Sequence, residues 1–301
     1  MPVLVTGASD YLGLAVSLRL QFAGYTVFGL TQSVVGAKAL ESRGITPLVG
    51  SVEDSDTLIN AARLVEAVVD VAGHPATAKI FLSILQGTGK RYIRTSTASV
   101  YADRARGSLS SLVFKESMKL SPDGRAAAII ATDASVQDAA ENGIHTVVLR
   151  PALTYGDAGG VLITTLLRQA MASGRSLYIG TGANRQSHVY RTDLAEAYFL
   201  ALEKAPPGRV YNIADGESSM ADIATGVSAA IGLPGPTSCG IETAYTAFGS
   251  RLVDDVLSSN CRVDATRAKI ELGWKPAGPS LMDELADGSY PEVWSGASLP
   301  R

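Results

Sequence analysis

Short, continuously apolar runs alternate with longer amphipathic segments through the first half of the chain, and this alternation constrains the fold more than any other feature. The runs predict strands at Val3–Thr6, Tyr25–Leu30, Ile45–Val49, Val65–Ala72, Tyr92–Ser96 and Thr146–Leu149. Strands that are apolar at consecutive positions are typical of sheets covered on both faces. Repeated strand–helix units with such strands predict an α/β fold, a doubly wound parallel sheet of about seven strands with right-handed crossovers.

The pattern loosens in the second half of the chain. It predicts helices at Val161–Ala172, Asp193–Lys204 and Met220–Ile231 and one further strand at Arg209–Ile213. Asp193 and Glu196 have the spacing of a capping box at the start of their helix. These elements predict a large α/β domain over residues 1–155, to which 187–214 returns, and a smaller C-terminal substrate lobe made from the remaining segments of 156–301. The lobe would rest on the carboxyl edge of the sheet, where open α/β sheets bind ligands.

Composition argues against several classes of protein. The 301 residues carry 26 Lys and Arg against 29 Asp and Glu, a net charge of −3, with no basic run that would bind nucleic acid. Two cysteines, Cys239 and Cys261, are too few for a disulfide scaffold or a zinc cage, so no metal is expected. No apolar stretch reaches the roughly 18–20 residues of a membrane span. The first strand follows Met1 so closely that no secretory leader is expected, which predicts a cytoplasmic protein.

The connection between the first strand and the first helix is rich in small residues and reads Val5-Thr6-Gly7-Ala8-Ser9-Asp10-Tyr11-Leu12-Gly13. Gly7 suits a tight turn, and Gly13 lets the helix pack close to the strand. A helix N-terminus there offers free N–H groups to a pyrophosphate, as in a Rossmann-type dinucleotide-binding domain. Asp10 stands where a middle glycine would let phosphate approach, so its carboxylate is expected to weaken binding. A tight turn without a ligand is the alternative.

Four segments resemble, in order, motifs of the short-chain dehydrogenase/reductase family. They are Thr6–Gly13, similar to the TGxxGxxG turn with its middle glycine replaced; Thr95–Tyr101, similar to the strand-five segment; Leu149–Gly156, similar to RPxxxYG; and Asp264–Pro276, similar to the closing helix. The resemblance covers nearly the whole chain. It lies with the extended and atypical branches of the family, which contain NAD(P)-dependent sugar epimerases, dehydratases and carbonyl reductases.

The resemblance implies a dinucleotide cofactor and assigns roles to residues at matching positions. The implied cofactor-binding set surrounds the glycine turn and the ends of later strands: Gly7, Ser9, Asp10, Tyr11, Leu12, Gly13, Val52, Val71, Ala72, Gly73, Pro151 and Leu153. Thr97 matches the hydroxyl residue that hydrogen-bonds the reacting oxygen. The alternative for Thr97 is a hydroxyl that bonds its own backbone at the end of a strand. The resemblance also implies a homodimer.

The end of the second strand bears on the choice between NAD and NADP. The stretch Leu30-Thr31-Gln32-Ser33 contains no carboxylate that could accept the 2′-hydroxyl of NAD. Thr31 and its small polar neighbours would tolerate a 2′-phosphate, which Lys38 could reach. The sequence therefore favours NADP over NAD as the cofactor.

The usual catalytic pair of the family, Tyr-x-x-x-Lys, does not occur in the sequence. None of the 11 tyrosines is followed by lysine four residues later, and the stretch Pro122–Ile130, where the pair is expected, contains neither residue type. His74, directly after the fourth strand, is a candidate replacement because imidazole exchanges a proton near neutral pH. Tyr101, four residues after Thr97, is another. The alternatives are a helix cap for His74 and a packing role for Tyr101.

Asn184 and Arg185 lie in a glycine-rich loop of the second lobe and are candidates to clamp a small-molecule substrate, although a surface position is the commoner outcome for arginine.

Three functions fit the pattern of motifs in the sequence. The first is an NAD(P)-dependent oxidoreductase that acts on a small carbonyl or alcohol. The second is a non-redox cyclase, isomerase or lyase on the same fold. The third is a dinucleotide-binding sensor without turnover. The fold alone does not decide among them.

Overall fold

A computed structural model of the chain describes residues 1–120 and 124–296. The strands are β1 (Pro2–Thr6), β2 (Thr26–Thr31), β3 (Thr46–Val49), β4 (Ala67–Asp70), β5 (Arg91–Thr95), β6 (Asp103–Arg104), β7 (His145–Pro151), β8 (Leu153–Tyr155), β9 (Ser176–Ile179), β10 (Arg185–Tyr190), β11 (Arg209–Ile213), β12 (Glu217–Ser219), β13 (Pro236–Cys239) and β14 (Ser259–Asn260). The α-helices are α1 (Tyr11–Phe22), α2 (Val34–Glu41), α3 (Ser55–Arg63), α4 (Pro75–Leu85), α5 (Gly124–Asp138), α6 (Val161–Ser173), α7 (Arg191–Lys204), α8 (Met220–Ala230), α9 (Ile241–Phe248), α10 (Ser250–Leu252), α11 (Leu281–Ala286) and α12 (Ser289–Trp294). Short 3₁₀ turns cover Ala98–Tyr101 and Ala139–Asn142, and π-helical turns cover Val253–Leu257 and Ala268–Leu272.

Seven parallel strands form the main sheet, in the order β11-β7-β5-β4-β1-β2-β3. The predicted doubly wound, Rossmann-type parallel sheet is confirmed. β1 lies between β2 and β4, so the strand order reverses at that point. Open sheets of this kind bind ligands in the crevice at such a reversal, beyond the carboxyl ends of the strands.

Both faces of the main sheet are covered, as the continuously apolar runs predict. Within β1, Val3 and Val5 belong to the core on one face, while Leu4 between them belongs to the core on the other. The first core includes side chains of α1 and α7, and the second includes side chains of α3 and α4. Because successive strand residues point to opposite faces, only a strand sandwiched between helices is apolar at every position.

A separate apolar core lies in the second half of the chain. It joins α6, α8 and α11, with Leu166, Val227 and Leu285 fully or almost fully buried. Two small sheets border it, one with the order β12-β10-β8 and one that pairs β13 with β9. Between β10 and β12 in the sequence, α7 packs against α1, and β11 joins the edge of the main sheet. The chain thus crosses to the main sheet and back again.

The predicted capping box at Asp193 and Glu196 is wrong. Helix α7 begins two residues earlier, at Arg191, and no side chain caps its first turn. The Asp193 carboxylate instead accepts hydrogen bonds from the backbone N–H groups of Ala277 and Gly278, at 3.1 and 2.9 Å. Glu196 forms an ion pair with Arg19 of α1. Both carboxylates therefore bind distant parts of the chain, an outcome that local spacing does not reveal.

The helix expected over 122–130 begins at Gly124, and its predicted first residues lie outside the described ranges. Among the described residues, no helix combines the length and apolarity that crossing a membrane requires.

Candidate functional site

The turn between β1 and α1 has the backbone of a phosphate-binding turn. Gly7 has φ of +60°, a left-handed conformation that glycine adopts without strain. A Cβ atom on Gly13 would lie 1.9 Å from the Gly7 carbonyl oxygen, so only glycine allows α1 to pack this closely. The N-terminus of α1 opens from this turn, and its first N–H groups are available to an anion.

Asp10 introduces a negative charge at this turn. It occupies the N-cap position of α1, yet its side chain makes no capping hydrogen bond. One carboxylate oxygen lies 3.1 Å from the position that a Cβ on Gly7 would take, and the residue is exposed. The turn therefore fits a pyrophosphate in its backbone geometry, while the Asp10 carboxylate opposes it electrostatically.

Ser9 connects the turn to the end of β2. Its hydroxyl lies 2.8 Å from that of Thr31, the last residue of β2. Ser33 caps α2 by accepting a hydrogen bond from the Gly36 N–H, at 3.0 Å. The side chains at this end of β2 are small hydroxyls rather than a carboxylate, as the sequence indicates.

A buried carboxylate shapes the loop after β4. Asp70 accepts hydrogen bonds from the hydroxyls of Thr6 and Tyr92, at 2.7 and 2.9 Å, and from the Gly73 N–H at 3.2 Å. Burial raises the pKa of Asp70, and the hydrogen bonds from Thr6 and Tyr92 oppose that shift. The loop through Val71, a candidate cofactor contact, is thereby fixed beside the glycine turn.

A cavity of about 400 Å³ opens beyond the carboxyl ends of β5 and β7, between the main sheet and the second half of the chain. Its lining is mostly apolar or hydroxyl-bearing: Tyr11, Leu12, Thr95, Ser96, Thr97, Ala98, Ser99, Pro151, Ala152, Leu153, Thr154, Gly160, Val161, Leu162, Gln186, Leu252, Asp255, Val256 and Cys261. The predicted residues Thr97, Pro151 and Leu153 lie together in this wall. So do Tyr11 and Leu12, which connects the cavity to the glycine turn.

Two hydroxyls form a pair in the cavity wall. Thr97 donates a hydrogen bond to the Ser99 hydroxyl at 3.0 Å, and accepts one from the Ser99 backbone N–H at 3.1 Å. Thr97 thus caps the 3₁₀ turn at Ala98, which is the alternative considered for it, and it also lines the cavity. Ser99 was not among the site residues predicted from the sequence.

Beneath this wall lies a buried network centred on Asp133 of α5. Its carboxylate accepts hydrogen bonds from Ser96 Oγ at 2.7 Å, Arg150 Nε at 2.9 Å and Arg94 Nε at 3.2 Å. The same Arg94 donates to the carbonyl of Gly73 at 2.9 Å. Asp133 was not among the residues predicted from the sequence, although an aspartate in the middle of an alanine-rich helix was a usable signal.

Tyr101 belongs to this network and not to the cavity wall. It is fully buried, donates to Asn212 at 3.0 Å and accepts from Arg150 at 2.7 Å. His74 caps α4, with its Nδ1 accepting the Ala76 N–H at 3.3 Å, and it does not line the cavity. Both predicted replacements for the catalytic pair therefore have the structural roles that were their alternatives.

Asn184 and Arg185 also lie outside the cavity wall. Asn184 is completely buried, and its amide donates to the carbonyl oxygens of Leu257 and Ser259, at 3.1 and 2.7 Å. The Arg185 guanidinium pairs with Glu217 at 3.2 Å. The substrate clamp expected from these two residues is not assembled, because both side chains bind other parts of the chain.

Val52 and Ala72, two further predicted cofactor residues, lie just after β3 and β4. Val52 follows β3 and is partly buried against the core beneath α3. Ala72 is exposed above the glycine turn, and its N–H donates to the Thr6 hydroxyl at 3.1 Å.

Tyr11 joins the glycine turn to the second half of the chain. Its hydroxyl donates to the carbonyl oxygen of Gly156 at 2.8 Å, and the Arg191 guanidinium lies 4.8 Å from its ring centre. Burial raises the pKa of Tyr11 far above its ordinary range, so its hydroxyl stays protonated.

Among the described residues, no group of three or more His, Cys, Asp or Glu is placed to hold a metal ion.

Comparison with known proteins agrees with the fold and the glycine turn. Residues 3–214 match the NAD dependent epimerase/dehydratase family, and the chain belongs to that family. An uncharacterised protein of Schizosaccharomyces pombe is 30% identical over 96% of this chain and 100% of its own length. A ketoreductase of Stigmatella aurantiaca, named for a 3-oxo-4-farnesyl-dihydroquinoline oxide substrate, is 27% identical over 72% of this chain and 69% of its own.

A solved structure shares the fold at lower sequence identity. It is the dTDP-glucose 4,6-dehydratase of Bacillus anthracis in complex with NAD, with a TM-score of 0.76 and 18% identity over 98% of both chains. Membership of the family makes a nicotinamide dinucleotide the expected class of cofactor, in agreement with the resemblance drawn from the sequence.

Proposed function

We propose that the protein is an NAD(P)-dependent oxidoreductase that interconverts a small carbonyl compound and its alcohol in the cavity beside Thr97. The observation that carries this proposal is the convergence, in one cavity wall, of Thr97 with Pro151 and Leu153. These are the positions at which the family resemblance expects the reacting oxygen and the nicotinamide. The ketoreductase from Stigmatella supports carbonyl chemistry for a relative of this kind.

The cofactor would be held by the glycine turn, the loop after β4 and the end of β2. Gly7 and the N-terminus of α1 would receive the pyrophosphate, and Thr31 would lie at the adenosine ribose. When bound, the nicotinamide supplies or accepts a hydride. Because the hydroxyls of Ser9 and Thr31 meet at the end of β2 and no carboxylate follows within residues 30–33, we propose NADP as the preferred cofactor.

Thr97 would orient the substrate oxygen by donating a hydrogen bond to it. For this its hydrogen bond to Ser99, 3.0 Å away, would reverse, so that Ser99 donates to Thr97 and replaces the proton that Thr97 gives up. Water entering the cavity would resupply Ser99. Tyr11 and Cys261 are unsuited to this work. The Tyr11 hydroxyl already donates to the Gly156 carbonyl oxygen at 2.8 Å, and the Cys261 thiol donates to the Ala98 carbonyl oxygen at 3.1 Å. The Thr97–Ser99 pair is therefore the proposed route for the proton.

The proposal is tested by titrating purified protein with NADPH and NADH while following nicotinamide fluorescence, and then by following oxidation of the bound cofactor with a panel of ketones and aldehydes. We expect saturable binding and ketone-dependent oxidation. Binding without oxidation of any compound would favour the sensor alternative. Absence of binding of both cofactors would favour a non-redox activity on this fold.

A further inference from the structure

The charge of the cavity wall is one-sided. Of its lining residues in the described ranges, one is acidic, Asp255, and none is lysine or arginine. We propose that Asp255 is the specificity-determining residue of the cavity: it admits neutral substrates, favours those that present a cationic or hydrogen-bond-donating group, and rejects phosphates and carboxylates. That this cavity is the substrate site rests on the function proposed above.

Asp255 reaches the cavity through an irregular helical segment. The π-helical turn Val253–Leu257 follows directly after α10. Leu252, Asp255 and Val256 all line the cavity, so one side of this segment forms part of its wall. π turns are rare in proteins and are frequent at functional sites. Here it places a carboxylate among apolar side chains.

The segment is held from several directions, so the position of Asp255 is fixed by its neighbours. Gln186 of β10 donates to the Val256 carbonyl at 2.8 Å, and Asn184 donates to the Leu257 carbonyl at 3.1 Å. The Ser259 hydroxyl donates to the Asp254 carbonyl. This is the role that the structure gives to Asn184: it supports the turn that carries Asp255 rather than touching a ligand.

The two adjacent aspartates differ in what they bind. Asp254 accepts a hydrogen bond from the Tyr245 hydroxyl at 2.8 Å and does not line the cavity. The Asp255 carboxylate has no hydrogen-bond or ion-pair partner among the described residues, and it is only partly exposed. A carboxylate without a partner, set in an apolar wall, attracts cations and donors and repels anions more strongly than one in open solvent.

The test uses three ketones of one shape, 4-acetylbenzylamine, 4-methylacetophenone and 4-acetylbenzoate, which are cationic, neutral and anionic at neutral pH. Their dissociation constants are measured by calorimetry on the cofactor-free protein and on its NADPH complex. We expect the cation to bind at least about tenfold more tightly than the anion, with the neutral ketone between them. Asp255→Asn should reduce that difference to about threefold or less. The matched control Asp254→Asn should leave it unchanged.

Three results would overturn the proposal: tightest binding of the anion, an unchanged order in Asp255→Asn, or no binding of any of the three ketones. Failure of the proposed oxidoreductase function has a different signature. In that case none of the ketones oxidises NADPH, while the charge order in the binding constants and its loss in Asp255→Asn persist.

Discussion

The carboxylate of Asp133 and the guanidinium of Arg150 lie 2.9 Å apart beneath the cavity wall, and both side chains are buried. Arg150 comes from β7 and Asp133 from α5, the helix on which the family resemblance leads us to expect a Tyr-x-x-x-Lys pair. In this chain the helix instead anchors the end of β5 through Ser96, the residue before Thr97. The helix thus holds this wall of the cavity in place, and within Gly124–Asp138 it contains neither tyrosine nor lysine.

Replacing Asp133 should destabilise the protein strongly. Asp133→Ala leaves the Arg94 and Arg150 guanidiniums buried without their carboxylate, and we expect a loss of about 3–5 kcal/mol in the free energy of unfolding. Urea titration followed by circular dichroism measures it. Asp133→Asn retains one acceptor oxygen and should lose less. Asp138→Asn, at an exposed position of the same helix, is the control, and an equal loss there would contradict this account.

His188 should make stability depend on pH. Burial lowers its pKa to about 4, although Asp215 and Glu217 act in the opposite direction. In the unfolded chain a histidine takes up a proton near pH 6.5, whereas the folded chain resists protonation until about pH 4. The stability contributed by the neutral His188 ring is therefore complete above pH 6.5, and it is lost as the pH falls from 6.5 to about 4.

The measurement compares urea unfolding of wild type and His188→Gln at pH 7 and pH 5. Wild type should lose about 2 kcal/mol more than the variant between these two values. An identical loss in both proteins would show that His188 is not the group responsible. His74→Gln, at an exposed position, should behave like wild type.

The fold was predictable because its determinants are local. The limits of α6 and β11 agree with their predicted limits to within one residue, since glycines and apolar periodicity mark both. The direction in which each side chain points was harder to predict from the sequence. Asn184 lies in a glycine-rich stretch that resembles an exposed loop, yet its amide is enclosed by residues 257–259. Nothing near Asp255 in sequence indicates that a π turn places it in the same cavity wall as Thr97, more than 150 positions earlier, because that placement depends on the packing of two distant parts of the chain.

Thr97→Val should lower kcat/KM about ten- to hundredfold, because it keeps the shape of the side chain and removes the hydroxyl that orients the substrate oxygen. Thr97→Ser retains the hydroxyl and should keep most of the activity. Since Thr97 also caps the 3₁₀ turn, thermal unfolding of each variant must be compared with that of wild type. His74→Ala should leave the rate and its pH profile unchanged, because the ring lies outside the cavity wall. Full activity of Thr97→Val would show that the reaction takes place at another site.

Removing the charge of Asp10 should tighten cofactor binding. Its carboxylate lies over Gly7, where the pyrophosphate is expected, and its backbone is extended, with φ of −83°, so other residues fit there without strain. We expect both Asp10→Asn and Asp10→Gly to bind NADPH about three- to tenfold more tightly at low salt, with a smaller gain at high salt. Fluorescence titration measures the affinities. A gain in the glycine variant alone would assign the effect to space rather than to charge.

Ser33 offers a direct test of the proposed NADP preference. It caps α2 immediately after β2, and aspartate is an equally good N-cap, so Ser33→Asp should fold normally while adding a negative charge beside the expected 2′-phosphate. We expect its affinity for NADPH to fall about tenfold and its affinity for NADH to stay within about twofold of wild type.

Ser33→Asn, a neutral cap of the same size, is the matched control and should keep the preference for NADPH. Competitive fluorescence titrations of the three proteins give the ratios. If wild type binds NADH more tightly, or if Ser33→Asp weakens both cofactors equally, the absence of a carboxylate after β2 does not determine the choice of cofactor.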